Sequence, residues 1–94
     1  MFYRKEDGRF PLGRVVITAH ARATLSDADA IAGLERHHRG DWGDLTEREQ
    51  QQNDEALAEG AQLLSIYSTP QGVKFWIITE EDRSVTTILL PIDY

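Results

Sequence analysis

Nine residues, RHHRGDWGD at 36–44, hold much of what this chain could use for chemistry. Arg36, His37, His38, Asp41 and Trp42 crowd together there, with a glycine on either side of Asp41-Trp42. A second cluster, TEEDRS at 79–84, supplies Thr79, Glu80, Asp82, Arg83 and Ser84, with Thr86 and Thr87 just beyond it. Histidine and glutamate can move protons near neutral pH, and arginine can stabilise the charge that builds on a phosphorane. His37, His38, Glu80 and Arg83 are therefore the candidate acid, base and charge-stabilising groups of a metal-independent ribonuclease. The alternative use of the same region is recognition of another protein, through Arg36, His37, Asp41, Trp42, Asp82, Arg83 and Ser84.

Other chemistries fit less well. Neighbouring side chains on a helix diverge by roughly 100°, so His37 and His38 cannot face one ion, and no HxxxH or HxxEH spacing occurs. No metal site and no cofactor is expected. Ser84 lacks the strained elbow that exposes a nucleophilic serine. Phosphate-binding glycine loops are missing. The chain has no cysteine, which excludes disulfides and thiolate metal sites.

The whole chain has 94 residues, a length that fits one domain with a single modest core. We read 1–94 as that domain, with 1–12 as an N-terminal arm and 13–94 as its core. Hydrophobic residues make up 40%, against only 3 prolines and 7 glycines, which indicates folding rather than disorder. Met1–Asp7 lacks the apolar stretch of a secretion signal. No apolar run approaches the roughly 20 residues needed to span a bilayer. A cytoplasmic protein without membrane association is expected. Net charge is −6, with ten acidic residues in 26–60 against Arg36, Arg39 and Arg48. That charge repels phosphate backbones and makes nucleic acid an unfavourable partner. The acidic surface would suit a basic protein partner, from the host or a second copy in a homodimer.

Two helices and four strands must position these residues. Arg14–His20 is β-branched after Pro11 and Gly13, and reads as a strand. Ser26 followed by Asp27 and Asp29 starts a helix whose inward face is expected to carry Ile31, Leu34 and His38. Cationic residues 36–39 end it, with Gly40 as the left-handed cap. Thr46-Glu47-Arg48-Glu49 is a capping box for a second helix, running to Leu57 or Ala58 and ended by Gly60. Asn53 lies one turn before Leu57 and is expected to point inward and bond the connecting loop. From Leu63 the period becomes two. Thr69-Pro70-Gln71-Gly72 marks a turn, Val73–Thr79 a strand, Glu81–Ser84 a second turn and Val85–Leu90 the last strand. In that second turn Asp82 and Arg83 could form a local ion pair. The result is an α+β fold, strand-helix-helix followed by a three-stranded antiparallel meander, with the helices on one sheet. Trp76 and Ile78 leave the other sheet face apolar. The arm (Phe2, Tyr3, Phe10) or a second subunit is expected to cover it.

This element order resembles the RelE-type toxins and the wider barnase-like group, which is a likeness of fold and does not confer function. The strings GDWG at 40–43, TEEDRS at 79–84, the threonine pair at 86–87 and the closing LLPIDY resemble a family of small bacterial proteins often labelled plasmid-related. The resemblance covers about residues 10–94 and departs at AHARATL, 19–25, where that family has more proline and glycine. It implies carriage on mobile elements, and it carries no activity, cofactor or site residue with it. The favoured reading is a small noncatalytic binding or accessory protein, with a regulatory or counter-defence role. The ribonuclease is its alternative.

Overall fold

A computed structural model describes residues 8–94. The order is β1 (Arg14–Ile17), α1 (Ala19–Thr24), α2 (Asp27–His38), α3 (Glu47–Glu59), β2 (Leu63–Ser68), β3 (Lys74–Thr79), β4 (Val85–Leu89) and a 3-10 turn at Pro91–Asp93. The class is α+β, as expected. Phe2 and Tyr3 lie outside the described residues. Among the described residues no helix is long and apolar enough to cross a membrane.

The first strand is shorter than its β-branched run suggested. Thr18, read as strand, accepts a hydrogen bond on its hydroxyl from the Ala21 amide and caps a third helix instead. The helix formers of AHARAT extend it until Leu25 turns extended and Ser26 caps α2. On α2 the inward residues are Ala30, Gly33, His37 and His38, while Ile31 is 49% exposed, against expectation. Gly33 is required where it stands. A Cβ there would come within 2.7 Å of the Phe75 ring.

Strands β2, β3 and β4 form the antiparallel meander, and β1 adds to β4 in parallel, giving the order β1-β4-β3-β2. Register aligns Tyr67 with Phe75, Ser65 with Ile77 and Ile88, and Leu63 with Thr79 and Thr86 on one face. The helices cover that face. Ala21, Leu25 and Ala30 pack on Tyr67, Phe75, Ile77 and Ile88, and Phe10, Leu12, Trp42 and Leu45 pack around Leu63. Phe10 therefore belongs to the helix side and does not cover the far face. On that far face Tyr94 lies against Trp76, ring centres 5.2 Å apart.

An edge strand presents unpaired backbone groups that invite another chain. The edge of β2 is closed from within. Asn53 on α3 accepts from the Leu64 amide (3.1 Å) and donates to the Leu64 carbonyl (2.7 Å), so it bonds the strand rather than the connecting loop. Two residues on, the Ile66 amide donates to the Trp42 carbonyl and the Asp44 amide to the Ile66 carbonyl. The Asn53→Ala variant strands two backbone groups, and should lose about 1–3 kcal/mol in urea unfolding. It should also self-associate more readily. Unchanged stability and unchanged sedimentation would refute this role.

Candidate functional site

Capping decides where the first cluster goes. The helix α2 ends at His38, and Gly40 and Gly43 take φ of 83° and 79°, letting the chain double back within the junction. At Gly43 a side chain would also strike the Ile66 carbonyl. Arg36 and Asp41 then meet as a two-point ion pair, 2.7 and 3.2 Å, with the guanidinium 4.7 Å from the Tyr67 ring centre. The Arg36 bond holds the Asp41 carboxyl below its ordinary range, and the Gly43 amide adds to this. Asp41 thus bonds a backbone amide in the junction. Asp44 instead takes the Ser68 hydroxyl. Trp42 is 3% exposed, with its indole N–H donating to Asp54 (2.8 Å) and its ring beside Phe10 and His37.

The two histidines do diverge, and both go inward. His38 presents Nε2 to the Phe10 carbonyl at 2.7 Å, so it holds the arm. Burial lowers its pKa, partly offset by that carbonyl. His37 is fully buried over the paired strands β2 and β3, with Nδ1 2.6 Å from Ser65 Oγ and Nε2 2.8 Å from Thr79 Oγ1. The chain continues from Thr79 to Thr86 (2.8 Å) and ends where Thr86 donates to the Leu12 carbonyl (2.7 Å). A hydroxyl has one proton. Thr86 gives its proton to Leu12, so Thr79 must donate to Thr86 and must itself accept from His37. His37 is therefore the Nε2–H tautomer, and Ser65 donates to its Nδ1. Burial, and then the nearby Arg83 cation, lower its pKa to about 3. It is a neutral internal link, out of reach of a ligand.

The second cluster is a turn. Asp82 accepts from the Ser84 amide (2.9 Å) and hydroxyl (2.5 Å), which lowers its pKa, the hydroxyl foremost. It does not pair with Arg83. Arg83 stands at φ 61° and reaches across to the end of α3, donating to the Ala61 (2.6 Å), Glu80 (3.1 Å) and Ala56 (3.5 Å) carbonyls. No basic residue occupies the last turn of α3. Arg83 supplies the missing cation to the negative helix end. Glu80 contacts Gln62 at the surface, 3.5 Å away.

The two clusters therefore meet, through Phe10. Its ring lies 5.3 Å from His37, 5.6 Å from His38, 6.1 Å from Trp42 and 5.9 Å from the Arg83 guanidinium. What joins them is packed side chains. Arg36, Asp41, Asp82 and Ser84 are at the surface, Glu80 and Arg83 are half-buried, and His37, His38 and Trp42 are inside.

One polar cluster escaped the reading of the sequence. Asp93 accepts from the Thr18 hydroxyl (2.5 Å) and the Leu90 amide (3.0 Å) and lies 2.5 Å from His20 Nδ1. These contacts, the Thr18 hydroxyl first, lower its pKa to about 2. They tie the closing LLPIDY string to the start of α1. Residues 73 and 75 apart carried no local signal of it. No group of acidic residues or histidines that could hold a metal ion occurs among the described residues. No family model, curated protein or solved structure matches the chain.

Arg83 yields a graded expectation. The Arg83→Ala variant loses three carbonyl contacts and should cost about 2–3 kcal/mol in urea unfolding. The Arg83→Gly variant loses the same contacts but relieves the left-handed backbone, and should be about 1 kcal/mol more stable than the alanine variant. Equal stability of the two would show that the backbone at 83 carries no strain.

Proposed function

We propose that this chain is a small noncatalytic binding protein of mobile-element origin, acting in the cytoplasm on a protein partner from the host or on its own kind. A regulatory or counter-defence role suits such carriage. One observation carries the reading: three of the four candidate catalytic groups, His37, His38 and Arg83, are tied up by the fold itself. His37 is neutral with both ring nitrogens bonded to hydroxyls, and Arg83 donates to three backbone carbonyls. A ribonuclease needs a proton-transfer group within reach of its substrate and an arginine free for the phosphorane. A net charge of −6 further opposes a polyanion. The groups left at the surface, Arg36, Asp41, Asp82 and Ser84, can still meet a protein partner.

Expression in a bacterial host, with growth and RNA integrity followed, tests this. Normal growth and intact RNA are expected. Rapid RNA loss that disappears in Arg83→Ala would overturn the proposal in favour of the ribonuclease. Cross-linking of the intact protein in its native host should then trap a discrete protein partner.

A further inference from the structure

The two edges of the sheet are treated differently. That of β2 is closed by Asn53 and the junction loop, while no described residue pairs with that of β1. The Arg14 and Thr18 amides donate to the Ser84 and Ile88 carbonyls of the β4 side. Alternation in a parallel ladder therefore turns the N–H and C=O of Val15 and Ile17 outward, where no described residue meets them. Beside this edge runs a groove of about 270 Å³, between β1 and α2, lined by Val15, Ile17, Ala30, Ile31 and Leu34 with Asp27 at its wall. Val15 is 42% and Ile31 49% exposed, two of the four exposed large apolar residues among those described. RVVI has no proline or lysine and pairs without a bulge, and its one charged residue, Arg14, lies on the opposite face from Val15 and Ile17.

We infer that β1 accepts an extended peptide segment of a partner as a fifth strand, with apolar side chains at alternate positions entering the groove and a lysine or arginine placed against Asp27. The outward backbone groups of Val15 and Ile17 call for an extended main chain, because only that spacing matches alternate donors and acceptors. Period two sends every second side chain of such a strand over the helix-covered face, where Ile31 and Leu34 wait. Among the described residues Asp27 has no ion-pair or side-chain hydrogen-bond partner, and Asp29 shares its helix turn, so a cationic residue complements it. A second copy fits less well. In a β1–β1 pair Arg14, which shares the opposite face with Val85, would not come over Asp27.

This inference rests on the binding-protein reading and names its surface. The probe is a short synthetic peptide that alternates valine with threonine and carries a lysine at each end. Its control has proline at the centre. With the peptide near saturation, amide exchange at Val15 and Ile17 should slow about tenfold or more, and the control should leave both unchanged. Ile31→Ser, at an exposed position, should weaken the peptide about fivefold while leaving the fold intact. Asp27→Asn should remove the advantage of the lysine-ended peptide over a neutral one. Equal protection by the control, or protection appearing elsewhere on the chain, overturns the inference. So does protection that grows with protein concentration when no peptide is present, because a second copy then holds the edge. If β1 fails these tests while a cross-linked partner is still found, only this surface is wrong. If the chain degrades RNA, the binding reading falls whatever β1 does.

Discussion

Trp42→Ala should lower stability by about 3–5 kcal/mol, the range for removing a large buried aromatic. In a domain of this size that shifts the melting midpoint by roughly 15–30 °C. Trp42 is 3% exposed and packs with Phe10, His37 and Leu63. The loss should also spread. Phe10 stacks on the indole, and Phe10 also touches Arg83, so the arm and the β3–β4 turn lose their shared support. Trp42→Phe separates two contributions. It keeps most of the ring packing and removes the bond to Asp54, whose carboxylate is exposed and can return to water. That variant should cost about 1–2 kcal/mol. If Trp42→Ala melts within a few degrees of the parent, the indole is not structural. Trp42 would then become a contact residue for a partner.

The local signals in this chain were readable because they act over three or four residues. Ser26, Thr46 and Gly60 cap and end their helices as hydroxyl, capping box and left-handed glycine dictate. The period-two meander was equally plain, since alternation and turn residues are local. The features that fail to show are those made by distant pairing. Thr18 belongs by composition to a β-branched run, and only its hydroxyl bonds to Ala21 and Asp93 make it a helix start. Nothing within RVVI says that its neighbour is β4 and that the two run parallel. The same holds for the site. Arg83 sits beside Asp82 in sequence, yet its partners are carbonyls at the end of α3, 22 and 27 residues away. A clue was available, since a helix with no cation in its last turn leaves its carbonyls for someone else. His37 was a candidate base by residue type. Its spacing from Ala30 and Gly33, seven and four residues earlier, points it at the sheet instead.

That inward position gives the second large effect, a steep loss of stability in mild acid. The His37 pKa is about 3 in the folded protein and 6.5 when unfolded. Above the unfolded value both states hold neutral imidazole, and the residue adds no pH dependence. Between pH 6.5 and 3 the unfolded chain binds a proton that the folded one refuses, so protonation favours unfolding. Stability therefore falls with pH, approaching about 1.4 kcal/mol per unit for this one group. Over about 3 units this amounts to roughly 4–5 kcal/mol, comparable with the whole stability of a small domain. The carboxylates whose pKa is lowered, Asp41, Glu49, Asp82 and Asp93, act in the same direction but only once the pH drops below their ordinary range near 4. His38, also lowered by burial, steepens the slope within the histidine window. Urea unfolding at intervals from pH 7.5 to 4.5 should show a flat plateau, then a decline beginning near 6.5. His37→Gln should be less stable at neutral pH, because the ring fills its site and bonds Ser65 and Thr79, yet its decline in acid should be shallower. If parent and variant fall with the same slope, His37 is protonated in the folded state, and Ser65 accepts from Nδ1–H instead of donating to it.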